Sequence, residues 1–515
     1  MSRVTSFVAR RGGWVAAAAG LALPLAFAPF DVYPLAVLCT ATLFLSWEGV
    51  TPRVAARRSF LFGAGAFLAG TYWIYISVRF FGEAPLYVAL PLMLGLVAIM
   101  GLYFALLGFA ATRWLRAPGM LRWLLAWPAA WVLVEWLRGW VLSGFPWLSL
   151  GYSQIDGPLA GLAPVLGVYG VSWAVAVSAG AVTALLCGGR RPRVAAVLVI
   201  AAMWAGSAVL GTVRWTIPAG EPLRASLLQG AVAQQVKWDP EQLAPTLALY
   251  RRLTRAHWDS DLIVWPEAAI PTLAHRVGGY LRALHEEARR HGSSIVLGIP
   301  LYDSEKEQYR NAVLVMDETL QVYAKRHLVP FGEYFPVPDV IRSWMRLHNL
   351  PYTDFAPGDP VTEPYRAAGG KIALSICYED AYGAEQLGYL PEATLLVNVS
   401  NDAWFGDSIA PHQHLQIARM RTREAGRYQL RATNTGVSAV IAPDGALMQV
   451  SPQFETHVLT AEVQPHTGRT PYMTLGNRAV IIAVLLALAA GKMGTFLIFR
   501  STRKRGAGGR SMSEK

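Results

Sequence analysis

The chain has 515 residues, of which 53% are hydrophobic and only 16% are charged, and this composition excludes an ordinary soluble enzyme with one core. The net charge of +12 does not indicate a nucleic-acid partner, because residues 1–213 carry +9, residues 214–499 carry −2 and residues 500–515 carry +5. The three cysteines exclude a disulfide framework, since Cys39 and Cys187 lie in apolar stretches far from Cys377.

Seven apolar segments precede residue 214, and an eighth lies near the end of the chain. Most of them reach the roughly 20 residues that a helix needs to cross a hydrocarbon core about 30 Å thick. The first could instead be a cleaved signal peptide, because Arg10 and Arg11 precede it, but the spans that follow favour a retained helix. The sequence therefore predicts an eight-span helical bundle. The predicted spans are 12–29, 33–48, 59–78, 85–112, 121–142, 163–187, 194–212 and 478–499.

The arginines set the orientation of this bundle. Eight spans place both termini on one side of the membrane and residues 214–477 on the other. By the positive-inside rule the termini and the basic tail 500–515 are cytoplasmic, and residues 214–477 face outward. In a two-membrane bacterium this orientation predicts a multi-pass protein of the inner membrane with a periplasmic domain. The arginines on the predicted cytoplasmic side are Arg3, Arg10, Arg11, Arg53, Arg57, Arg58, Arg113, Arg116, Arg122, Arg190, Arg191 and Arg193.

The fifth span and the stretch after it carry polar and aromatic residues at membrane depth. Glu135 and Arg138 lie one helical turn apart, which is typical of an internal ion pair. The following stretch, SGFPWLSLGYSQI, is rich in glycine, proline and aromatic residues. Trp147 in this stretch is predicted either to anchor the chain at the membrane interface or to contact the outer domain and a lipid.

Residues 214–477 form a predicted outer domain in which strands and helices alternate. This alternation, with short turn signals between the elements, predicts a layered sheet-and-helix sandwich. The eighth span, 478–499, and the tail follow this domain. The predicted strands are 225–231, 262–265, 294–299, 312–316, 372–376, 394–398 and 437–441, and the predicted helices are 240–254, 277–291 and 411–426.

The outer domain is organised around the stretch KIALSICYED at residues 371–380. Its alternating apolar residues predict a buried strand that delivers Cys377 at its carboxyl end, where reacting side chains of layered α/β proteins usually lie. A lone cysteine in this position is more often a small buried hydrophobic residue. Further residues with matching chemistry are therefore needed before Cys377 is taken as a nucleophile.

Two other stretches supply those residues. LIVWPEAAIP places Glu267 just beyond an apolar strand, and YAKRHLVPFGEYFP places Lys325 before a rigid loop that carries Glu333. A cysteine nucleophile needs a proton acceptor and a group that stabilises an oxyanion, and a carboxylate and an ammonium group provide them. No histidine stands in an obvious strand-end motif, and His327, beside Arg326, is the nearest candidate.

The order Glu267, Lys325 and Cys377 resembles the catalytic set of the nitrilase superfamily of carbon-nitrogen hydrolases. The stretches WPEAAIP, YAKRHLVPFGEYFP and SICYED are similar to its three signature stretches, over about residues 223–465. This resemblance implies an αββα sandwich. Seven predicted spans precede this domain in the sequence and the eighth follows it. In this arrangement the whole chain resembles the apolipoprotein N-acyltransferase family. SGFPWLSLGYSQIDGP and QGAVAQQVKW are also similar to that family.

The resemblance implies a ping-pong acyltransferase, the last step of lipoprotein maturation. Glu267 would take the thiol proton, Cys377 would attack a phospholipid ester to form a thioester, and Lys325 would stabilise the oxyanion. The α-amino group of a diacylglyceryl-cysteine at a lipoprotein amino terminus would then take the acyl chain. Glu333 would fix Lys325 or share the acid and base work.

The resemblance also implies a pocket for these substrates. Tyr378 and Glu379, directly after the nucleophile, would shape it, and Trp238 and Trp404 would line the entrance for the acyl chain. The expected donor is a phosphatidylethanolamine-like phospholipid, the expected acceptor is a diacylglyceryl-apolipoprotein, and the chain is expected to act as a monomer. No metal ligands with the usual spacing and no phosphate-binding loop occur, so no cofactor is expected.

Two alternatives remain open at this point. A membrane-tethered nitrilase-like amidase that hydrolyses a small amide or nitrile would use the same three residues, although a tether needs only one span. A transporter or channel with an outer regulatory domain would carry polar residues along its spans, and these are scarce beyond Glu135, Arg138 and Lys492.

Overall fold

The computed structural model describes residues 3–334 and 354–508. The chain divides into two compact units. A helical unit comprises Met1–Arg79, Glu83–Val213 and Leu475–Lys515, and a sheet unit comprises Phe80–Gly82 and Arg214–Thr474. The end of the predicted loop at Pro336 and the tail residues 509–515 lie outside the described residues.

Each of the eight predicted apolar segments of the helical unit is helical over most of its length. Apolar side chains favour helices here because a bilayer offers no partners for unpaired backbone groups. The helices are α1 (Arg3–Ala22), α2 (Pro34–Ser46), α3 (Pro52–Gly70), α4 (Trp73–Ile76), α5 (Leu86–Arg113), α6 (Gly119–Leu121), α7 (Trp127–Arg138), α8 (Ala163–Cys187), α9 (Arg190–Gly211) and, after the sheet unit, α15 (Arg478–Gly508).

Among the described residues, fewer helices than eight are long and apolar enough to cross a membrane unbroken. Three qualify, namely Leu86–Arg113, Pro158–Cys187 and Arg190–Gly211. A fourth qualifies if Pro52–Gly70 and Trp73–Phe81, which meet at a bend of 51°, form one span. Helix α2 is apolar but shorter. The prediction of several apolar helices is thus confirmed, and the number eight stays a prediction.

The polar residues of α7 hold the loop that follows this helix. A carboxylate oxygen of Glu135 accepts hydrogen bonds from the indole N–H of Trp131 at 2.8 Å and from the backbone N–H of Leu150 at 2.9 Å. Arg138 donates to the backbone carbonyl of Trp147 at 2.6 Å. These contacts satisfy groups that would otherwise be costly to bury in apolar surroundings.

The sheet unit contains two six-stranded sheets and one two-stranded sheet. The first large sheet has the order β12-β11-β10-β9-β8-β7, and the second has the order β13-β2-β3-β4-β5-β6. The strands are β1 (Thr216–Pro218), β2 (Leu223–Gln229), β3 (Leu262–Val264), β4 (Ser294–Asp303), β5 (Gln308–Met316), β6 (Leu320–Ala324), β7 (Tyr365–Ala367), β8 (Gly370–Ile376), β9 (Leu395–Ser400), β10 (Gln429–Thr433), β11 (Ala439–Ile441), β12 (Leu447–Val450), β13 (His457–Val463) and β14 (His466–Gly468).

Aliphatic side chains from both large sheets form one core between them. Val264 and Val296 of the second sheet belong to the same buried cluster as Leu374 and Val397 of the first. The outer faces of the sheets carry helices, so the layers are helix, sheet, sheet, helix, as predicted. The helices of this unit are α10 (Pro240–Arg255), α11 (Gly278–His291), α12 (Gly383–Gln386), α13 (Ala410–Ala425) and α14 (Pro471–Leu475). Helices α10 and α11 pack on the second sheet, and α13 packs on the first.

Strand direction brings several chain segments to the same edge of each sheet. Strands β2, β3 and β4 are parallel, and β6 runs in their direction because β5 is antiparallel to both β4 and β6. In the other sheet β8, β9 and β10 are parallel. The loops that follow these strands therefore meet, which is where α/β proteins place their sites.

The seven predicted strands and three predicted helices of this unit are all confirmed, with small shifts at their ends. The strands that were not predicted are β1, β6, β7, β10, β12, β13 and β14. Most of these are short or carry polar residues, so they lack the apolar run that marks a buried strand.

Candidate active site

Cys377 follows β8 and begins a tight turn, Cys377–Ala381. The five residues before it are buried, which fixes the strand, whereas Cys377 is partly exposed. Its φ angle is 52°, in the left-handed region that residues with a side chain rarely adopt. Strained backbone of this kind is common at reacting residues, where it turns the side chain out of the strand.

Charges on two sides act on the thiol of Cys377. Burial raises the pKa of the thiol, the carboxylate of Glu267 raises it further, and the ammonium group of Lys325 lowers it. A hydrogen bond with Ser400 also lowers this pKa. The net shift is upward, so the group rests as a neutral thiol and must lose its proton during attack rather than before it.

Glu267 lies in the turn after β3 and is 7% exposed. One carboxylate oxygen accepts a hydrogen bond from the side-chain amide of Asn311 at 2.7 Å, and the other accepts from the backbone N–H of Asn401 at 2.8 Å. The next residue, Ala268, has a φ of 46°. Gly298 on β4 lies so close that a Cβ there would be 2.6 Å from the Cα of Glu267.

Lys325 directly follows β6 and faces two carboxylates. Its ammonium nitrogen lies 2.9 Å from a carboxylate oxygen of Glu333 and 3.5 Å from one of Glu267. Asn311 donates to both of these carboxylates, at 2.7 and 2.8 Å. Burial by itself lowers the pKa of Lys325, but the charges of Glu333 and Glu267 outweigh it and raise the pKa. We call Glu267, Lys325, Glu333 and Asn311 the Lys325 cluster.

A second group of polar residues lies on the other side of Cys377, within the first sheet. Arg431 on β10 donates to the carboxylates of Asp402 at 3.0 Å and Asp380 at 3.3 Å, and to Asn398 at 2.7 Å. His414 on α13 lies 3.0 Å from Asp402 and 2.9 Å from Arg431. We call Asp402, His414, Arg431, Asp380 and Asn398 the support cluster.

His414 is the natural rival of Glu267 as a proton acceptor, because cysteine nucleophiles often pair with histidine. Its Nε2 lies 3.1 Å from the backbone carbonyl oxygen of Cys377. A carbonyl only accepts, so Nε2 carries a proton and donates it there. Nδ1 is occupied by Arg431 or Asp402. Both ring nitrogens therefore have partners other than the thiol.

The support cluster also explains a grouping that resembles a metal site. Ligand atoms of Cys377, Asp402 and His414 all lie within 4.8 Å of one another. The guanidinium of Arg431 contacts both Asp402 and His414, and this positive group opposes a divalent cation at the same oxygens and nitrogen. Burial acts to raise the pKa of Asp402, but the positive charge of Arg431 outweighs it and lowers this pKa.

Glu379 and Tyr378 lie in the turn after Cys377 and are both buried. Glu379 accepts four hydrogen bonds, from the hydroxyl of Tyr323, from the backbone N–H of Ile376, and from the backbone N–H groups of Arg326 and His327, at 2.6 to 3.2 Å. These bonds tie the turn of Cys377 to the loop that begins with Lys325. Burial raises the pKa of Glu379.

The aromatic residues predicted for the pocket lie in different environments. Trp238 and Trp404 are 50% and 41% exposed, so both present their rings at the surface of the sheet unit. Trp147, in the helical unit, is 1% exposed. Its ring packs against Trp73 and Phe145, with centroid distances of 5.3 and 6.1 Å. Trp147 is therefore a core residue of its own unit, whereas an interfacial anchor would be exposed.

The structure thus brings Glu267, Lys325, Glu333 and Cys377 to one edge of the two sheets. Sequence reasoning missed Asn311 and the support cluster. Arg431 and Asp402 are fully buried, whereas a single charged residue in a sequence usually indicates a solvated position. The sequence offered one signal, the position of Asp402, which closely follows a strand as Glu267 and Cys377 do.

Comparison with known proteins yields two family matches. Residues 19–181 match the N-terminal domain of apolipoprotein N-acyltransferase, and residues 224–472 match carbon-nitrogen hydrolase. Apolipoprotein N-acyltransferases of Methylococcus capsulatus and Pseudomonas putida are each 44% identical, over 92% and 94% of this chain and 94% and 98% of their own length. That of Coxiella burnetii is 39% identical over 91% of this chain and 97% of its own.

Among solved structures, an amidase from a Nesterenkonia species is 17% identical. The match covers 52% of this chain and 97% of the amidase, with a TM-score of 0.37.

Proposed function

The chain belongs to the apolipoprotein N-acyltransferase family, and on that premise we propose that Cys377 carries the acyl group from donor to acceptor. The activity is transfer of a phospholipid acyl chain to the α-amino group of the diacylglyceryl-cysteine at a lipoprotein amino terminus. Family membership selects this activity over the amidase and the transporter. The assignment of individual residues below is our proposal.

In the first half-reaction the sulfur of Cys377 attacks the ester carbonyl of the donor lipid. Glu267 accepts the thiol proton as the C–S bond forms, and the ammonium group of Lys325 donates hydrogen bonds to the carbonyl oxygen as it becomes negative. The ester C–O bond then breaks, and Glu267 returns the proton to the leaving alkoxide. The products are an acyl thioester and a lysophospholipid.

In the second half-reaction the lipoprotein amine attacks the thioester carbonyl. Glu267 accepts the amine proton, the oxyanion again faces Lys325, and the C–S bond breaks. The sulfur leaves as a thiolate next to an ammonium group and recovers the proton from Glu267. Two substrates that visit one nucleophile in turn define ping-pong kinetics.

The charges around the thiol support this division of roles. The pKa of Cys377 is raised, so attack needs a base rather than a standing thiolate. The pKa of Lys325 is also raised, so it stays protonated and acts as a donor, not as the base. The ammonium nitrogen of Lys325 lies 3.5 Å from a carboxylate oxygen of Glu267, and the charges of both groups act on the thiol. This juxtaposition is the single observation that carries the proposal.

The remaining predicted residues support these three. Glu333 fixes the ammonium group of Lys325 at 2.9 Å. Glu379 acts as a positioning residue, because its hydrogen bonds join the turn of Cys377 to the loop of Lys325. Trp238 and Trp404 offer exposed apolar rings to an acyl chain, and Tyr378 lines the turn beside the sulfur.

We further propose that the helical unit crosses the inner membrane eight times, with both termini cytoplasmic and the sheet unit periplasmic. The eight apolar segments are helical, and the arginines between them, except Arg79, lie on one predicted side. Fusion of alkaline phosphatase or green fluorescent protein after residue 515 tests this orientation. A fluorescent, phosphatase-inactive fusion is expected, and the opposite pattern would overturn it.

The acyl-enzyme is tested by mass spectrometry of the purified protein after incubation with phosphatidylethanolamine, the donor class that we propose. We expect an acyl adduct on the Cys377 peptide that hydroxylamine removes and that Cys377→Ala lacks. Addition of a diacylated lipopeptide should move the acyl chain to its amine. An adduct on another residue would overturn the nucleophile, and release of free fatty acid despite the lipopeptide would indicate a hydrolase.

A further inference from the structure

Lys237 is a buried cation in the sheet unit that the acyl-transfer steps leave unused. It lies after β2, just before Trp238, and is 1% exposed. Its ammonium nitrogen donates a hydrogen bond to the backbone carbonyl oxygen of Glu267 at 3.3 Å. Among the described residues it has no carboxylate within ion-pair distance. A buried ammonium group with a neutral acceptor in place of a counter-ion is costly, so its presence needs a reason.

The segment that carries Lys237 is bound to the active-site edge. Asn434 after β10 accepts from the backbone N–H of Val232 at 3.1 Å and donates to its carbonyl at 2.8 Å. Asn401 donates to the side chain of Gln234 at 3.0 Å, while its own backbone N–H donates to the carboxylate of Glu267. Lys237 is therefore held against Glu267 by its surroundings.

The backbone of Glu267 lies between two close neighbours. Gly298 approaches it so closely that a Cβ would be 2.5 Å from the carbonyl oxygen of Pro266. The ammonium group of Lys237 holds the carbonyl of Glu267 itself, one residue before the positive φ of Ala268. Both contacts fix the peptide unit from which the carboxylate of Glu267 projects.

We propose that Lys237 is a fourth charged group of the active site, a positioning residue that anchors the backbone of Glu267 and supplies positive charge for the acyl-transfer transition state. Glu267 and Glu333 carry two negative charges against the one positive charge of Lys325. The charge of Lys237 balances the four groups. Without it, the oxyanion develops beside a site that is already negative, and this raises the barrier.

The surroundings of Lys237 make this charge dependent on pH. Burial lowers its pKa to about 8, and the carboxylate of Glu267 partly offsets the effect. Among the described residues, Glu267 is the titratable group whose charge acts on Lys237. Lys325 keeps a raised pKa, so it does not lose its charge over the same range. Cys377 acylation should therefore slow as pH rises through about 8.

The test uses the full-length protein in phospholipid nanodiscs and follows the rate of acyl-adduct formation at Cys377, without lipopeptide, between about pH 6.5 and 9.5. The wild type should lose rate above about pH 8. Lys237→Arg keeps a permanent charge and should retain its rate across the range. Lys237→Met should be about 10- to 100-fold slower at neutral pH and show no alkaline step. Lys306→Met, at an exposed lysine, should match the wild type.

This inference rests on the proposed acyl-enzyme, and the two fail differently. If no adduct forms on Cys377 in the wild type, the proposed function fails. If the adduct forms but the wild type shows no alkaline step, or if Lys237→Arg shows the same step, the role of Lys237 fails. A Lys237→Met protein with the wild-type rate would also overturn it. If a variant does not fold, the dependence of the wild-type acylation rate on pH tests the role of Lys237 by itself.

Discussion

The two polar clusters that flank Cys377 are built in different ways. The Lys325 cluster draws its residues from separate strands and loops of the second sheet, and its contacts run from 2.7 to 3.5 Å. The support cluster joins β8, β9, β10 and α13 around Arg431, whose guanidinium contacts four partners at 2.7 to 3.3 Å. The first cluster places one ammonium group between two carboxylates, which can exchange protons, whereas the second surrounds one guanidinium with polar partners that fix the backbone.

We therefore expect changes in the Lys325 cluster to lower the acylation rate and to leave the free energy of unfolding unchanged. Changes in the support cluster should first of all lower the free energy of unfolding. The largest rate effect is expected for Glu267→Gln, which keeps the shape and removes the base. Acylation of Cys377 should fall by about 10³- to 10⁴-fold, measured as adduct formation in a single turnover. A variant that retains a tenth of the rate would remove Glu267 from this role.

Arg431→Met should have the largest effect on stability. It leaves the carboxylates of Asp402 and Asp380 buried without their cation, which typically costs about 3–5 kcal/mol. Asp402 has a lowered pKa, so its contribution is present above the unfolded pKa and is lost as the pH falls toward the folded value. The wild type should therefore lose apparent Tm on acidification, and the variant should start lower and lose less.

Lys325→Met should slow acylation by about 10²- to 10³-fold, the usual cost of removing one oxyanion donor. Because the pKa of Lys325 is raised, Lys325 keeps its charge across the working range, and Lys237→Arg should keep its rate as the pH rises. Thermal unfolding followed by intrinsic tryptophan fluorescence checks that the variant is folded. A normal rate in a folded variant would contradict its role as the donor.

His414→Leu and His414→Gln separate a positioning role from a base. The amide of glutamine can still donate to the carbonyl of Cys377, and leucine cannot. If His414 only positions, leucine should lower kcat about 10-fold with KM and the pH profile unchanged, and glutamine should restore most of the rate. Equal and larger losses in both variants would instead make His414 the base. His412→Leu, on the same helix, is the matched control.

The smallest effect is expected in the opposite direction. Lys237→Met removes a buried ammonium group whose pKa is lowered to about 8, so wild-type stability is reduced below that pH and recovers above it. The variant should gain apparent Tm by roughly a few degrees at neutral pH although its acylation is slower. An unchanged or lowered Tm would indicate that the group is already compensated.

The two clusters also differ in how far the sequence reveals them. Glu267, Lys325 and Cys377 each follow an apolar strand within a short, distinctive stretch, so their placement was predictable. Arg431 lies within β10, and His414 lies on a helix beside other polar residues. Their burial depends on partners from distant parts of the chain, which a local pattern does not report.

The helical unit shows the same limit. The apolar runs of the sequence predicted the positions of the helices, but they did not predict the positions at which the helices bend. The chain bends by 51° between Pro52–Gly70 and Trp73–Phe81 although both sides are apolar. Sharp bends of this kind fall where the ladder of backbone hydrogen bonds is interrupted, here after Gly70, where the Thr71 hydroxyl donates to the carbonyl of Phe67, and hydropathy does not report that interruption.

Glu379 joins the turn of Cys377 to the loop of Lys325 through its four hydrogen bonds, so in the proposed reaction the sulfur and the ammonium group keep their spacing while one lipid departs and another arrives. The carbonyl group of the oxygen ester in the first step and that of the thioester in the second therefore face the same ammonium group. A single rigid tie of this sort lets one pocket process two chemically distinct carbonyls, and it leaves the motion needed for lipid exchange to other parts of the molecule.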